Sequence, residues 1–397
     1  MKIQGTLIND RHPEYGSVVV QFPIPMDEYE NVLGLLEGLE IGDTLQRDCH
    51  VLTLGNGYHV LGRLEGTQVN LDELDYLAKR LDSFSSGEAA QFQAMAEKLD
   101  LRDIKDFINL TFCCQQATVI TDFSDLEAVG RRHYMNLNDG CAPAEELEAL
   151  DGYETALLLI DTGAGTVTEY GVVYDNGMEL EQVYDGRHFP AYDHDDSLIA
   201  LSVMPNTAGD NKSPIDYLYL PAPDSLIDRT FLRSGLGPGD LLYSIEYESL
   251  PEAVSDAVDI ASEDIQALNS MCHAVRQLDS REMDKLSAAV LMAKPESAAE
   301  ISEIAKNLEL FDFIPGVRDA EEYGKYMIQE SGHFEYDPNL DNFYNYSQYG
   351  WDRINREQGQ FNELGYIVYQ GEMTMEELLH GDPAEQMDQQ MDGMGGM

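Results

Sequence analysis

The chain has 397 residues, with 74 Asp and Glu against 24 Lys and Arg, which gives a net charge of −50. Its content of 43% hydrophobic and 9% aromatic residues exceeds that of disordered acidic tails and predicts a folded, multi-domain body coated in carboxylates. Such a surface repels nucleic acid and anionic membranes, so the partners that fit it are basic surfaces, foremost those of nucleic-acid-binding proteins.

The first third of the chain is predicted to hold a small β-containing domain and a helical block. Residues 1–69 include an apolar strand, Ser17–Phe22, that leads through a Pro-x-Pro segment into a short helix. Residues 70–135 begin with a helical block that runs to Asn109, in which leucines recur at helical spacing. We expect the carboxylates between those leucines to face solvent: Asp72, Glu73 and Asp75.

Residues 136–213 are predicted to form a β-rich insert followed by a linker. Three strands are predicted, at the apolar run 155–160, at 166–174 and at 178–184, and Gly-rich and Asp-Asn-Gly turns separate them. The stretch 205–214 is rich in Pro, Asn, Gly and Asp and is the predicted linker.

The rest of the chain returns to the pattern of its first part. A β-containing domain at 214–261, which includes a strand from Ile215 to Leu220, precedes a helical bundle at 262–307 and a Tyr-rich, acidic mixed domain at 308–371. The last residues, 372–397, contain many Met and carboxylates but no Lys or Arg, and we expect them to be disordered.

Two segments of the chain repeat each other. An apolar-Pro-x-Pro start and a Gly-Asp end occur in both 22–43 and 220–240. Farther on, a shift of 194 residues pairs Asp125 with Asp319, Glu127 with Glu321 and Gly130 with Gly324. We call this offset the module shift. These marks predict two copies of one module, at about 1–135 and 214–330. The fold class that follows is α+β: an elongated, multi-domain chain of small antiparallel β pieces and helical bundles, in which two modules flank the β-rich insert.

Motifs for catalysis and metal binding are weak. Asp161 lies in an Asp-Thr-Gly segment that is similar to the aspartic-protease signature, but that chemistry needs two carboxylates and a tight turn is the commoner structure. The donor-rich loop around His188 and His194 fits no zinc spacing, and the loop from Asp337 to Gln348 lacks the Gly and Glu of an EF-hand. We expect no enzyme activity, no cofactor and no metal site.

Cysteine usage and the N-terminus indicate the compartment. None of the five cysteines forms a C-x-x-C pair, which favours free thiols in a reducing cytoplasm. The N-terminus lacks the apolar core of a signal peptide, and no apolar stretch approaches the ~18 residues that a membrane span needs. We expect a cytoplasmic protein.

Three segments of the last third resemble one protein family. They are 319–332 (DAEEYGKYMIQESG), 342–352 (NFYNYSQYGWD) and 362–369 (NELGYIVY), and together they resemble the ArdA antirestriction proteins. The resemblance extends over about 214–371 and more weakly over 1–135. It implies two ArdA-like modules in one chain, and a protein whose surface carboxylates imitate the phosphates of bent B-form DNA.

The resemblance also implies partners and sites. ArdA-like proteins form elongated dimers, occupy the DNA groove of type I restriction-modification enzymes, and so protect mobile elements. The segment that matches the antirestriction motif is a possible dimer contact, and it contains Asp319, Glu321, Glu322, Tyr323, Gly324, Glu330 and Gly332. The candidate phosphate-mimicking carboxylates are Asp72, Glu73, Asp75, Asp125, Glu127, Asp279, Glu282, Asp284, Glu300, Glu303, Glu335, Asp337, Asp341, Asp352 and Glu363.

Three hypotheses about function remain open on the sequence. The first is a non-catalytic DNA mimic that binds the DNA-specificity and methyltransferase subunits of a type I enzyme, as a homodimer or as one long chain. The second is a general acidic adaptor or chaperone for basic DNA-binding proteins. The third is an aspartic protease that uses Asp161. Duplex DNA, with one charge per ~1.7 Å, would match fifty charges over roughly 85 Å, which permits the first hypothesis.

Overall fold

A computed structural model describes residues 2–55, 57–138, 140–192, 197–205, 216–236, 241–247 and 250–380. The chain divides into two compact units. Unit 1 comprises Met1–Asp193 and Ser225–Gly237, and unit 2 comprises His194–Asp224 and Pro238–Met397. Small antiparallel sheets and helical bundles occur in both, so the predicted mixture of helix and sheet is confirmed. The seven-segment division of the chain is finer than these units and stays a prediction.

Unit 1 begins with a four-stranded antiparallel sheet in the order β2-β1-β3-β4. Its strands are β1 (Ile3–Ile8), β2 (Ser17–Phe22), β3 (Cys49–Gly55) and β4 (Gln68–Val69), with helix α1 (Tyr29–Glu37) between β2 and β3. Residues of β2 alternate between exposed and buried, which is the period-2 pattern of a sheet with one face on a core. The predicted strand Ser17–Phe22 is therefore confirmed.

Three helices follow, and side chains that satisfy their first backbone N–H groups define where they start. They are α2 (Leu71–Asp82), α3 (Ser86–Lys98) and α4 (Ile104–Leu110). Asn70 and Ser85 form capping boxes with the Glu three residues later, and Asp103 caps α4. The leucines of α2 and the fully buried rings of Phe92 and Phe107 share one core with the first sheet.

The remainder of unit 1 mixes helices with three short strands, where a β-rich insert was predicted for 136–213. It contains β5 (Thr118–Ile120), α5 (Leu126–Leu137), α6 (Ala144–Ala149), α7 (Gly152–Thr162), β6 (Thr166–Thr168) and β7 (Gly171–Tyr174), followed much later by α8 (Asp224–Ser234). The three strands form an antiparallel sheet in the order β5-β7-β6.

Three strand predictions in this region are wrong in whole or in part. The predicted strand at 166–174 is divided by a turn at 169–170 into β6 and β7, which pair as a hairpin. The apolar run at 155–160 lies within α7, which Asp151 caps and which buries Ala156 and Leu159 on one face. Residues 178–184 form no strand; instead the backbone N–H of Tyr184 donates to Asn109 Oδ1 at 2.7 Å, which anchors this segment to the helical block. The predicted linker at 205–214 lies outside the described residues, apart from its first residue.

The prediction that Asp72, Glu73 and Asp75 face solvent is also wrong. These side chains are buried, with exposures of only 6%, 2% and 4%. The physical reason for Asp72 is helix α8, whose Arg229 and Arg233 donate to its carboxylate at 3.0 and 3.1 Å. Glu73 forms a bidentate pair with Arg47, and Asp75 pairs with Lys79 at 2.8 Å. None of the three can present charge to a partner.

Unit 2 has a three-stranded antiparallel sheet in the order β10-β8-β9, a helical bundle and a second small sheet. The strands are β8 (Ile199–Pro205), β9 (Asp216–Leu220) and β10 (Leu241–Tyr247), and the bundle helices are α9 (Glu252–Asp256), α10 (Ile265–Arg276), α11 (Ser280–Ala293) and α12 (Ala298–Lys306). The predicted strand at 215–220 is confirmed over its described residues, and the predicted helical bundle at 262–307 corresponds to α10–α12.

The end of unit 2 packs two helices on a sheet in the order β11-β13-β12. Its elements are β11 (Phe311–Pro315), α13 (Ala320–Lys325) with a π-helical turn (Tyr326–Glu330), α14 (Tyr346–Glu357), β12 (Gln360–Phe361), β13 (Gly365–Tyr369) and α15 (Met375–His380). The tail 372–397 was predicted to be disordered, and helix α15 shows that this prediction is wrong for 375–380. Residues 381–397 lie outside the described residues. Every helix in the described part of the chain is too short or too polar to cross a lipid bilayer.

Helix packing in both units depends on a glycine that admits a neighbouring backbone. A Cβ at Gly130 of α5 would overlap the Gly152 carbonyl of α7, and a Cβ at Gly324 of α13 would overlap the Tyr346 carbonyl of α14. We expect Gly130→Ala and Gly324→Ala each to lower the free energy of unfolding by about 1–3 kcal/mol, because the helices must move apart.

The chain's single tryptophan, Trp351, lies in unit 2, so its fluorescence follows the unfolding of that unit. The midpoint of urea unfolding followed by this fluorescence should therefore fall for Gly324→Ala. Urea unfolding followed by circular dichroism should show lower stability for both variants. The control is Gly34→Ala in α1, where a Cβ meets nothing within 4 Å and should cost no stability. Equal stability of all three variants would contradict the packing account.

The buried carboxylate of Asp72 generates a second prediction. Asp72→Ala removes the carboxylate that the buried guanidinium groups of Arg229 and Arg233 share, so we expect a loss of about 3–5 kcal/mol of stability. The matched control is Glu303→Ala, which removes an exposed pair with Lys306 and should cost about 0–1 kcal/mol. Chemical denaturation followed by circular dichroism measures both values, and similar losses would show that burial does not govern this ion pair.

Candidate functional site

The segments that resemble the antirestriction family meet at the end of unit 2. Helices α13 and α14 cross at Gly324 and Gly350, where any side chain would overlap the backbone of the opposite helix. Their inner faces share a core with the small sheet, formed by Tyr323, Met327, Ile354 and Tyr366 among others. The close crossing makes this region a rigid platform for its outward side chains.

Within the motif 319–332, some residues are structural and others are exposed. Asp319 caps α13 by accepting hydrogen bonds from the backbone N–H groups of Glu321 and Glu322, both at 2.9 Å. The Tyr323 hydroxyl donates to Glu357 Oε2 at 2.6 Å, and its ring lies 4.1 Å from that of Tyr366. Burial raises the pKa of Tyr366 to about 12, so its phenol remains a hydrogen-bond donor at neutral pH.

The remaining motif residues lie at the surface of unit 2. Glu321, Glu322 and Glu330 are exposed, and Glu321 pairs with Lys325 at 2.8 Å. Gly332 has a φ of +75°, the left-handed conformation that glycine adopts most readily. The motif therefore joins a packing function, through Tyr323 and Gly324, to an acidic outer surface. A dimer contact at this segment stays a prediction.

Asp341 is the centre of a polar network that the sequence did not reveal. Its Oδ1 accepts hydrogen bonds from Tyr336 at 2.8 Å, Gln329 at 2.9 Å and Tyr346. The hydrogen bonds from Tyr346 and Tyr336 lower the pKa of Asp341, which stays ionised and fixed in direction. The residues of the rejected EF-hand pattern thus serve a hydrogen-bond network, and spacing alone did not identify Gln329 or Tyr336 as partners.

Most of the other candidate carboxylates lie at the surface of their unit. Two are half-buried, Glu300 and Glu303. The exposed ones are Asp125, Glu127, Asp279, Glu282, Asp284, Glu335, Asp337, Asp352 and Glu363. Some also have local roles: Asp125 and Asp279 cap helices, and Glu127 pairs with Arg131 at 2.7 Å. The exposed carboxylates of unit 2 lie on short helices and turns of the bundle and the platform.

Large apolar side chains are exposed beside these carboxylates. Phe343 is 84% exposed, Trp351 54% and Phe334 50%, all within the Tyr-rich segment of unit 2. Exposed aromatic side chains of this size are typical of contact surfaces between proteins. The surface of the platform is thus both acidic and aromatic.

Other sites that the sequence suggested hold no reactive arrangement among the described residues. Asp161 is exposed in the last turn of α7 rather than in a strand-linked turn, so the predicted tight turn is wrong. The described residues contain no group of His, Cys, Asp or Glu that could hold a metal ion. His194 and its neighbouring aspartates, 193–196, lie outside the described residues.

The cysteines and one cavity of unit 1 are further candidate sites. Cys49, Cys113, Cys114 and Cys272 are buried free thiols and Cys141 is an exposed one; burial raises the pKa of Cys272 to about 12, which disfavours a reactive thiolate. A cavity of about 330 Å³ in unit 1 is lined partly by Arg47, Arg233 and Glu73, but these charges already pair within unit 1.

Comparison with known proteins identifies the platform and its bundle. Residues 242–368 match the family model described as antirestriction protein (ArdA), a range that covers most of β10, α9–α14 and most of the second small sheet. No curated protein matches the chain. The resemblance predicted from the three motif segments is confirmed over this range, and the chain therefore carries an ArdA-type antirestriction domain at residues 242–368.

Proposed function

We propose that the protein is an antirestriction protein that mimics B-form DNA and competitively blocks the DNA-binding groove of type I restriction-modification enzymes. The observation that carries this proposal is the ArdA match over 242–368. Through its DNA-specificity and methyltransferase subunits, the target enzyme would bind the acidic surface in place of DNA. The protein would act in the cytoplasm as a homodimer, would protect mobile genetic elements, and would need neither catalysis nor a cofactor.

Charge supports the mechanism physically. A net charge of −50 must be balanced by counterions, and a basic DNA groove that displaces them gains free energy as it does on DNA. Many exposed carboxylates each contribute little, but their sum is large and depends on salt. Rigid placement matters too, because a floppy chain would have to be ordered on binding at an entropic cost.

Rigid placement is supported by the local structure of unit 2. Asp319 and Asp279 are held by the backbone N–H groups of the helices they cap, and Asp341 is held by three donors. The Gly324 crossing fixes α13 against α14. Carboxylates on this platform are therefore pre-positioned before a partner arrives.

We also propose that the chain is built of two ArdA-like modules. The support is the position of secondary structure: α2, α3, α4, α5 and α7 of unit 1 each begin one module shift before α10, α11, α12, α13 and α14 of unit 2. On this basis the first module runs to about residue 174, and the segment predicted as an insert supplies its α7 and its β6–β7 hairpin. The first-module boundary at 135 would then be too early.

The mechanism predicts that inhibition depends on many carboxylates rather than on one. Among the described residues from α10 to β13, seven exposed carboxylates of the matched domain carry no side-chain hydrogen bond or ion pair: Asp284, Glu296, Glu309, Glu330, Glu335, Asp352 and Glu363. We expect conversion of all seven to amides to raise the inhibition constant for cleavage of unmodified plasmid DNA by a type I enzyme at least about 100-fold.

Two internal controls accompany this cleavage assay. Any one of the seven amide substitutions should change the inhibition constant less than about fivefold, since an exposed ion pair contributes only ~0.2–1 kcal/mol. The logarithm of the inhibition constant should rise with the logarithm of the salt concentration. The slope should be smaller for the variant that carries all seven substitutions. If the variant with all seven substitutions has the same inhibition constant as the parent protein, the proposed mimicry of DNA is refuted.

A further inference from the structure

We propose that unit 1 contains a second ArdA-type domain, at residues 48–174, which presents a second acidic surface to the same class of basic, DNA-binding partner. This inference rests on the proposed function, and its range is the matched range 242–368 moved back by the module shift. It goes beyond the match, which ends within unit 2. Helix positions are one support, and four further sets of contacts add to it.

The first set is helix capping. Five helices of unit 1 have N-cap side chains that accept backbone hydrogen bonds at Asn70, Ser85, Asp103, Asp125 and Asp151. The module shift places these on five N-caps in unit 2: Asp264, Asp279, Ser297, Asp319 and Asn345. Four of the five pairs differ in residue type but keep an oxygen acceptor, which is what an N-cap requires.

The second set is the helix crossing. Gly130 faces the Gly152 carbonyl in unit 1, and Gly324 faces the Tyr346 carbonyl in unit 2. The module shift relates Gly130 to Gly324 and also Gly152 to Tyr346, so the same pair of positions makes a close backbone contact in each unit. Amphipathic helices pack at many relative positions, and only a shared architecture explains the same point of contact in both.

The third set lies in the small sheets. The orders β5-β7-β6 and β11-β13-β12 are equivalent, and the central strand of each begins with a glycine of positive φ. Gly171 has a φ of +129° and faces the Ile120 carbonyl, while Gly365 has a φ of +158° and faces the Ile314 carbonyl. A side chain at either position would overlap that carbonyl, so both sheets need glycine for the same reason.

A bond between sheet and bundle also recurs. The backbone N–H of Ile24 donates to Asp75 Oδ1 at 2.7 Å, and that of Ala222 donates to Asn269 Oδ1 at 2.8 Å. The module shift relates Asp75 to Asn269, whereas Ile24 and Ala222 are slightly farther apart in the sequence. The contact is kept although the chain between its two ends differs in length.

The outer surface of the two regions shares its sign and some of its positions. Residues 71–174 hold 20 Asp and Glu with 7 Lys and Arg, and residues 265–368 hold 18 with 9. Glu127 and Glu321 are exposed and pair with the basic residue four positions later, Arg131 or Lys325. Glu169 and Glu363 are exposed at equivalent places in the hairpins. The region outside the family match therefore offers a partner the same kind of surface.

The test compares three variants of the full chain that lose the same number of charges. The first converts five exposed carboxylates of 48–174 to amides: Glu145, Glu148, Glu154, Asp161 and Glu169. The second converts five in the matched domain: Glu309, Glu330, Glu335, Asp352 and Glu363. The third is a control for net charge in 1–47: Asp10, Asp27, Glu28, Glu37 and Glu40.

The readout is inhibition of DNA cleavage by a type I restriction enzyme, with circular dichroism and thermal unfolding as checks of folding. We expect the first and second variants each to raise the inhibition constant about tenfold, their combination to multiply the two effects, and the control to stay within about threefold of the parent.

Each other outcome has a distinct meaning. If only the second variant weakens inhibition, or if the control weakens it as much as the first, unit 1 presents no second surface and the inference is overturned, while the proposed function stands. If neither the first nor the second variant weakens inhibition, the proposed function is overturned together with it.

Discussion

The structure depends on how a chain with three carboxylates for every basic residue distributes its few cations. Several of them lie inside unit 1, where Arg229 and Arg233 pair with Asp72, and Arg47 pairs with Glu73. A buried carboxylate without such a partner would cost roughly several kcal/mol of stability. Each buried carboxylate therefore needs a basic side chain beside it. Burial lowers and Asp72 raises the pKa of Arg229, and the net direction is upward, which keeps the guanidinium charged. Each buried pair removes one charge of either sign from the surface, so the excess of outer carboxylates persists and its ratio to the remaining cations rises.

The helices that carry the surface carboxylates are also held rigidly. Repulsion among surface carboxylates opposes compaction, and glycine-mediated helix crossings and capped helix ends resist it in both units. Carboxylates such as those of Asp125 and Asp319 are themselves the helix caps, and the backbone N–H groups that they accept from fix their direction. Structural and functional demands therefore meet in the same residues. A partner would encounter negative charge that is already ordered, which lowers the entropic cost of binding.

Much of the local structure could be predicted from the sequence, and the failures have physical causes. Helical spacing located the two bundles, and an apolar run indicated the strand Ser17–Phe22. The apolar run at 155–160 was assigned as a strand because a short, continuous apolar segment has no period that separates strand from buried helix. Asp151, three residues before Glu154, was the available signal for a helix start. Similarly, Thr374 and Glu377 signal α15 in the tail.

The sequence could predict which residues form the motif at the candidate site. It could not predict which of them pack in the core and which are exposed. Tyr323 and Gly324 serve packing, which only the crossing with α14 reveals. The burial of Asp72 was unpredictable from local pattern, because the arginines that cover it lie far along the chain, on α8. The network around Asp341 likewise joins side chains whose spacing fits no motif.

Competition with DNA is the central claim, and displacement of a labelled duplex tests it most directly. A fluorescent duplex of about 30 base pairs, bound to a type I restriction-modification enzyme, would be titrated with the protein while anisotropy is measured. The account predicts that anisotropy falls to that of free DNA and that displacement weakens as salt rises. A complex that retains the duplex while it also binds the protein would contradict the account.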